Sequence, residues 1–332
     1  LGKIEVIGPG AAEFLDRIYT IDCSGLRPGR CRYGLMLKED GYIFDDGIVA
    51  RLAADRYHVT TTTGGAARVL QHMEDYLQTE WPQLDVYLTS ITEQYAVIAL
   101  QGPMARELLA PLVAGIDLEP RAFPHMSVAE GEVCGIPCRL FRVSFTGEPG
   151  YEINVPADYG LALWERLIDA GREHRIAPYG TEAMHVLRAE KGYIIVGQET
   201  DGTVTPDDVG LGGLISRSKG DFVGRRSLAR PDLTAPGRKQ LVGLLTYASQ
   251  EVLDEGAQIV DDPEAPAPRR ALGHVTSSYW STNCGRSITL ALLEGGRSLI
   301  GRRLYVTTPS GFTSVQVSRP AFLDPKGERM HG

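Results

Sequence analysis

The sequence predicts an α+β protein made of more than one piece, and three observations predict it. Strand-length runs of apolar and β-branched residues alternate with amphipathic helices as far as residue 230. Arg230 to Gly237 then carries Pro231 and Pro236 and reads as a linker. After it come only strands punctuated by turn residues, the pattern of a small closed or sandwiched β domain. A chain of 332 residues is also too long for one compact core.

Ile4 to Ile7 reads as a strand that Pro9 and Gly10 break, and Ala11 to Ile18 as a helix with Phe14, Leu15 and Ile18 on one face. Tyr19 to Arg30 is loop. Gly34 to Leu37 and the run from Tyr42 form a hairpin about Lys38-Glu39-Asp40-Gly41, because Asp-Gly supplies the positive backbone dihedral that such turns need. Two adjacent carboxylates, Asp45 and Asp46, stand inside the second strand. Alternation sends one to each face. One face should be core, where a carboxylate is costly unless paired or used. The plainer reading puts both at a frayed strand end in water.

Tyr57 to Thr63 is a strand by its β-branched content, Gly64-Gly65 ends it, and Ala66 to Leu77 is a helix with Val69, Leu70, Met73 and Leu77 in one stripe. Leu84 to Leu88 and Tyr95 to Leu100 are strands. Gln101-Gly102-Pro103 opens a helix over Met104 to Leu112. Met126 to Val133 and Pro137 to Ser144 form a hairpin. A further strand runs to Val155 and contains Glu152, a second acid in apolar company, with a strand-edge acid as the alternative. Helices are expected over Asp158 to His174 and Thr181 to Lys191, and a strand over Tyr193 to Val196. The final strands are Leu241–Thr246, Gln258–Val260, Leu272–Ser278, Ser287–Leu292, Arg303–Thr307 and Thr313–Arg319.

Composition narrows the function. Hydrophobic residues make up 43% and charged residues 23%, ordinary for a globular protein. A net charge of −8 without a basic block argues against nucleic acid and anionic membrane surfaces. No apolar run approaches the roughly 20 residues of a membrane span, and no signal peptide opens the chain. Five cysteines, an odd and low count, suggest reduced thiols and a cytoplasmic setting. Cys134-Gly-Ile-Pro-Cys138 has no second Cys/His pair at zinc spacing, so structural thiols and no metal are expected. Gln101-Gly102-Pro103 lacks the residues of a phosphate loop, and Gly210-Leu-Gly212-Gly213 does not follow a strand, so no dinucleotide fold is expected. The chain opens at Leu1 and turns to strand almost at once, which suggests a piece of a longer protein.

An ordered set of motifs resembles the aminomethyltransferase (glycine cleavage T-protein) superfamily of tetrahydrofolate-binding proteins, nearly end to end. It comprises Lys3-Ile-Glu-Val-Ile-Gly-Pro9, the Gly41…Asp45-Asp46 strand, Leu100-Gln-Gly-Pro103, Thr146-Gly-Glu-Pro-Gly-Tyr-Glu152, Leu187-Arg-Ala-Glu-Lys-Gly192 and Lys219-Gly-Asp-Phe-Val-Gly224. Within that superfamily, Gly180 to Arg188, Gly197 to Pro206, Gly273 to Ser281 and Gly285-Arg-Ser287 are most similar to the C-terminal folate-binding region of the heterotetrameric sarcosine oxidase α subunit.

The resemblance implies a three-domain cloverleaf with folate in a central channel. Two intertwined mixed antiparallel-sheet and helix domains occupy 1–230, and a small β-barrel or jelly-roll-like domain occupies 238–325. Asp46 matches the family's essential aspartate, beside the reactive folate nitrogens. Glu152 matches the acid that grips the pterin, since one carboxylate accepts two adjacent N–H donors. The implied activity is capture of an iminium from sarcosine-type methylamine oxidation, giving 5,10-methylenetetrahydrofolate. The implied cofactors are tetrahydrofolate and a flavin held in a partner chain or missing domain. Other sarcosine oxidase subunits are the implied partners. A stand-alone glycine cleavage protein, a folate-dependent demethylase and a non-catalytic folate-binding module are the alternatives. Tyr33 is placed to stack near folate or to pack in the core. Arg188 would meet the folate glutamate tail or Glu190, and Tyr279 and Trp280 would wall the channel or pack in the β domain. Two departures stand out: Phe145 where the family often has Tyr, and Met184 about where glycine cleavage members have Arg.

Overall fold

The structure, a computed structural model, describes residues 1–331. The first part runs β1 (Gly2–Ile7), α1 (Ala11–Ile18), β2 (Arg30–Leu37), β3 (Ile43–Ala53), β4 (Arg56–Thr61), α2 (Ala66–Thr79), β5 (Tyr87–Ser90) and β6 (Tyr95–Gln101). It continues with α3 (Ala105–Leu109), β7 (Val113–Ala114), β8 (Ser127–Val133), β9 (Ile136–Arg142), β10 (Gly150–Pro156), α4 (Gly160–Ala170) and α5 (Thr181–Glu190). The strands make one 10-stranded antiparallel sheet in the order β5-β1-β4-β3-β2-β8-β9-β10-β6, with β7 on β8.

Alternation gives this sheet two apolar patches on its helix-covered side. Ile4, Val6, Met36, Val49, Tyr57 and Val59 bury against Phe14, Leu15 and Ile18 of α1 and Val69 and Met73 of α2. Leu140, Tyr151, Ile153 and Val155 bury against α3 and α4 in the same way. The other side curls inward. Arg139 of β9 bonds Glu5 of β1 at 2.8 Å and approaches His58 of β4 at 3.2 Å, although several strands separate them in the sheet. The Ile91 N–H, just after β5, donates to the Lys3 carbonyl and extends the β1–β5 pairing to the turn that leads into β6. The sheet is therefore an open half-barrel with a lined interior.

The second part is a closed barrel in the order β11-β14-β13-β12-β15-β16. Its strands are β11 (Lys239–Thr246), β12 (Gln258–Val260), β13 (Gly273–Ser281), β14 (Arg286–Glu294), β15 (Arg303–Thr308) and β16 (Gly311–Ser318). Val242, Leu244, Ile259, Leu304 and Val315 fill it. A bulge between Val275 and Ser277 shifts the register of β13, so Ser277, Tyr279 and Ser281 face α5 instead of the barrel core. The α+β class with a C-terminal closed barrel is therefore observed.

Three local expectations are corrected. Tyr193 to Val196 forms no strand. The Arg188 guanidinium takes the Tyr193 carbonyl and Glu199 takes the Ile195 N–H, so side chains supply what a neighbouring strand would. The helix expected over Asp158–His174 is α-helical only at Gly160–Ala170, with 3₁₀ turns at each end. The strand expected at Leu84 begins at Tyr87, because the Leu84 N–H closes a turn on Trp81.

Candidate functional site

The Asp45-Asp46 pair divides as alternation requires. Asp45 points into the core and is fully buried. Its Oδ1 accepts the Asp46 N–H at 2.8 Å and the Thr62 N–H at 3.1 Å, and its Oδ2 accepts the Thr62 hydroxyl at 2.8 Å. Asp46 points to the half-barrel interior, where Leu35 lies directly opposite it and Tyr33 sits diagonally on β2. The Tyr33 hydroxyl donates to Asp46 Oδ2 at 2.5 Å. Among the described residues that is the one bond to the Asp46 carboxylate. Burial pushes its pKa up to about 6, the Tyr33 bond pulls it back, and the neighbouring Asp45 charge adds to the rise.

The registers carry the same face across the sheet. Tyr33 lies opposite Ile48, Phe141 opposite Val128, and Glu152 opposite Phe141. Directly opposed residues share a face, so Asp46 and Glu152 look into one interior. Cys31, Ala50, Val128, Phe141 and Val143 form its apolar lining between them. The interior is layered. At one end Arg139, His58 and Glu5 form an ionic floor. Arginine only donates, so the His58 Nδ1 accepts and the ring is neutral. Burial first, then the Arg139 charge, lowers its pKa to about 3. Glu152 stands one same-face step along β10 from the Asn154–Arg139 pair, and Asp46 stands two same-face steps along β3 from Ala50, which lies opposite His58. Beyond Asp46, Tyr33 and Leu35 meet Val186 of α5, Leu214, Ile215 and Tyr279 of the barrel.

Glu152 differs from every other buried acid in the chain. Glu199 is bound by Arg188, Ser277 and the Ile195 N–H. Glu190 is bound by Ser281 and Asn283. The Glu152 carboxylate has no hydrogen bond or ion pair among the described residues. Desolvation raises its pKa, opposed at a distance by Lys3. Both Glu152 and Asp46 lie deep among protein atoms yet touch solvent-sized space. Two desolvated acids with spare acceptor capacity, on one apolar-lined face, suit a ligand that presents N–H donors.

The remaining expected site residues fall elsewhere. Arg188 is fully buried and pairs with Glu199 Oε2 at 2.7 Å, not with Glu190. Its Nη2 also donates to Ser277 Oγ at 2.7 Å and Gln198 Oε1 at 3.1 Å, so its terminal nitrogens are engaged within the chain. Trp280 is 38% exposed and lies on the face of β13 opposite to Tyr279. Its neighbour Tyr279 is the one that joins the cluster around Tyr33. Phe145 stacks near Tyr193 with ring centroids 6.3 Å apart. The Arg139–His58–Glu5 floor was not singled out by the sequence, because its members are distant in the chain and on different strands. The five cysteines are free thiols. No helix is long and apolar enough to cross a membrane among the described residues.

Comparison with known proteins adds to this geometry. The GCVT N-terminal domain family matches residues 1–219, and the glycine cleavage T-protein C-terminal barrel domain family matches residues 239–324. The chain is 50% identical over its whole length to sarcosine oxidase subunit alpha of Corynebacterium sp. (strain P-1), covering 34% of that protein. It thus spans about a third of the length of that relative. It is 33% identical to the aminomethyltransferase of Streptomyces coelicolor, over 91% of this chain and 78% of that one. The crystal structure of glycine cleavage system aminomethyltransferase T from Bartonella henselae superposes on 98% of this chain and 84% of its own, with a TM-score of 0.84 and 24% identity, a likeness of fold.

Proposed function

The chain belongs to the glycine cleavage T-protein family, and from that membership we propose that it binds tetrahydrofolate and transfers a one-carbon unit at the methylene level. The observation that carries this reading is the pair of under-bonded acids, Asp46 and Glu152, on one interior face. Bound tetrahydrofolate would supply two neighbouring amines that together take the carbon of a methylene iminium, whose nitrogen leaves as the free amine of the demethylated product with one of the two displaced protons, giving 5,10-methylenetetrahydrofolate.

This chain's residues divide the remaining work. Glu152, deeper in the interior, accepts the two adjacent N–H donors of a pterin edge, a bidentate charge-assisted arrangement. Phe141 and the apolar lining exclude water around it. Asp46 takes the proton that the attacking amine sheds. A carboxylate whose pKa is pushed to about 6 is a stronger base than an ordinary one and still ionised at neutral pH. Tyr33 fixes which Asp46 oxygen faces the amine. The iminium would come from a sarcosine-type methylamine oxidised by a flavin held elsewhere in the assembly, in keeping with the sarcosine oxidase relatives.

A second reading is a glycine cleavage aminomethyltransferase acting without a flavin partner, favoured by the 78% coverage of the Streptomyces coelicolor protein. Turnover in the absence of any flavoprotein separates the two. The test of the common core is calorimetric titration with tetrahydrofolate, followed by single-turnover transfer in wild type and Asp46→Ala. Saturable binding with transfer lost only in Asp46→Ala is expected. No binding by the folded chain overturns the reading, and full transfer by Asp46→Ala reduces it to a binding module.

A further inference from the structure

We infer that Asp45 is a positioning residue for Asp46, anchoring it from inside the core and holding a second negative charge next to it. The inference rests on the reading of Asp46 as proton acceptor. Asp45 links the strand that carries Asp46 to the start of α2. It bonds the Asp46 N–H directly. It also bonds Thr62 twice, and Thr62 Oγ1 in turn accepts the Gly65 N–H at 3.1 Å, where α2 begins. A Cβ on Gly65 would lie 2.0 Å from Asp45 Oδ2, so only glycine allows this approach. The Asp46 backbone is thus tied to a helix start that is itself packed in the core through Val69 and Met73.

The chemistry favours more than scaffolding. A fully buried carboxylate is expensive to hold ionised, and the nearest cation is Arg68 Nη2, 3.7 Å away on a mostly exposed side chain. The charged groups facing Asp46 are few. Tyr33 approaches from β2, Asp45 lies beside it on β3, and the buried Tyr19 phenol lies close to both acids. Of these, Tyr33 favours the ionised form by hydrogen bonding, whereas Asp45 opposes it by like charge. Asp45 therefore makes Asp46 a better base, while the bond to the Asp46 N–H keeps the side chain aimed at the interior.

Asp45→Asn tests this, since asparagine can accept both N–H groups and offer its amide to Thr62 while losing the charge. The measurement is the pH profile of single-turnover transfer, with the tetrahydrofolate Kd beside it. The acid limb of wild type is expected near pH 6 and should move to lower pH in Asp45→Asn, with Kd unchanged. A folded Asp45→Asn with an unmoved limb overturns the proposal. If the variant does not fold, Thr62→Val keeps the charge and removes one anchoring bond. Transfer should then fall about tenfold at unchanged Kd, and full transfer would refute the anchor. Asp46→Asn separates the two levels: a limb that survives in it refutes the reading of Asp46 itself, not that of Asp45.

Discussion

Glu152→Gln should weaken ligand binding and stabilise the fold at the same time. In the free protein the Glu152 carboxylate is desolvated and has no hydrogen bond or ion pair of its own. Its folded pKa is raised above the unfolded value of 4.5. The sign follows: its contribution is most favourable below the unfolded pKa and is lost as pH rises through the folded one. At pH 7, above the unfolded value, the acid therefore costs stability, and neutral glutamine removes that cost. Ligand binding goes the other way. Two charge-assisted bonds become one neutral bond and one misdirected donor, a loss of about 3 kcal/mol or roughly 100-fold in Kd. Thermal denaturation at pH 7 and calorimetric titration with tetrahydrofolate read the two effects. A variant that binds as tightly as wild type, or melts lower, would refute the assignment of Glu152 as the ligand's acceptor.

Three further outcomes are expected. Asp46→Asn should slow transfer by about 10²–10⁴-fold, and should raise the Tm at pH 7, because the folded Asp46 pKa of about 6 exceeds its unfolded value of 3.8 and stability is lost as pH rises through that window. An unchanged pH–stability curve in the variant speaks against the shift. Arg188→Met should leave Glu199 buried without its cation and lower stability by about 3–5 kcal/mol, read from the urea midpoint. A folded variant with an unchanged midpoint but weakened tetrahydrofolate binding would return Arg188 to the ligand. Trp280→Ala should change tetrahydrofolate Kd by less than about twofold, as expected for an exposed side chain, whereas Tyr279→Ala should destabilise the central cluster by about 3 kcal/mol. A large binding loss in Trp280→Ala contradicts a purely solvent-facing role for this exposed side chain.

Local patterns made much of the fold legible. The hairpin about Asp40-Gly41, the helix over Ala11–Ile18 and the strand Gln258–Val260 depend on near neighbours, which a sequence displays. The two odd acids were visible for the same reason, since a carboxylate inside an apolar strand conflicts with its surroundings at short range. Which of Asp45 and Asp46 faces the interior was not visible as physics. It depends on the pairing of Leu35 with Asp46 and on Thr62, a residue of the neighbouring strand's end. The surroundings of Arg188 and Trp280 were not legible because their partners come from elsewhere. Glu199 sits across a loop from Arg188, and the bulge at Val275/Ser277 determines which of Tyr279 and Trp280 turns inward.

The end of α5 has a consequence for how the chain is made. Arg188 donates to Ser277, Glu190 accepts from Ser281 and Asn283, and Lys191 reaches the Asp324 carboxylate at 2.9 Å. These three neighbours are all buried, and they are completed by residues translated many seconds later. Arg188 already has Glu199 and the Tyr193 carbonyl close by in the chain, whereas Glu190 and Lys191 gain the partners named here only from residues 281–324. The seam between the parts is thus sewn by contacts that span 89 or more positions of the chain.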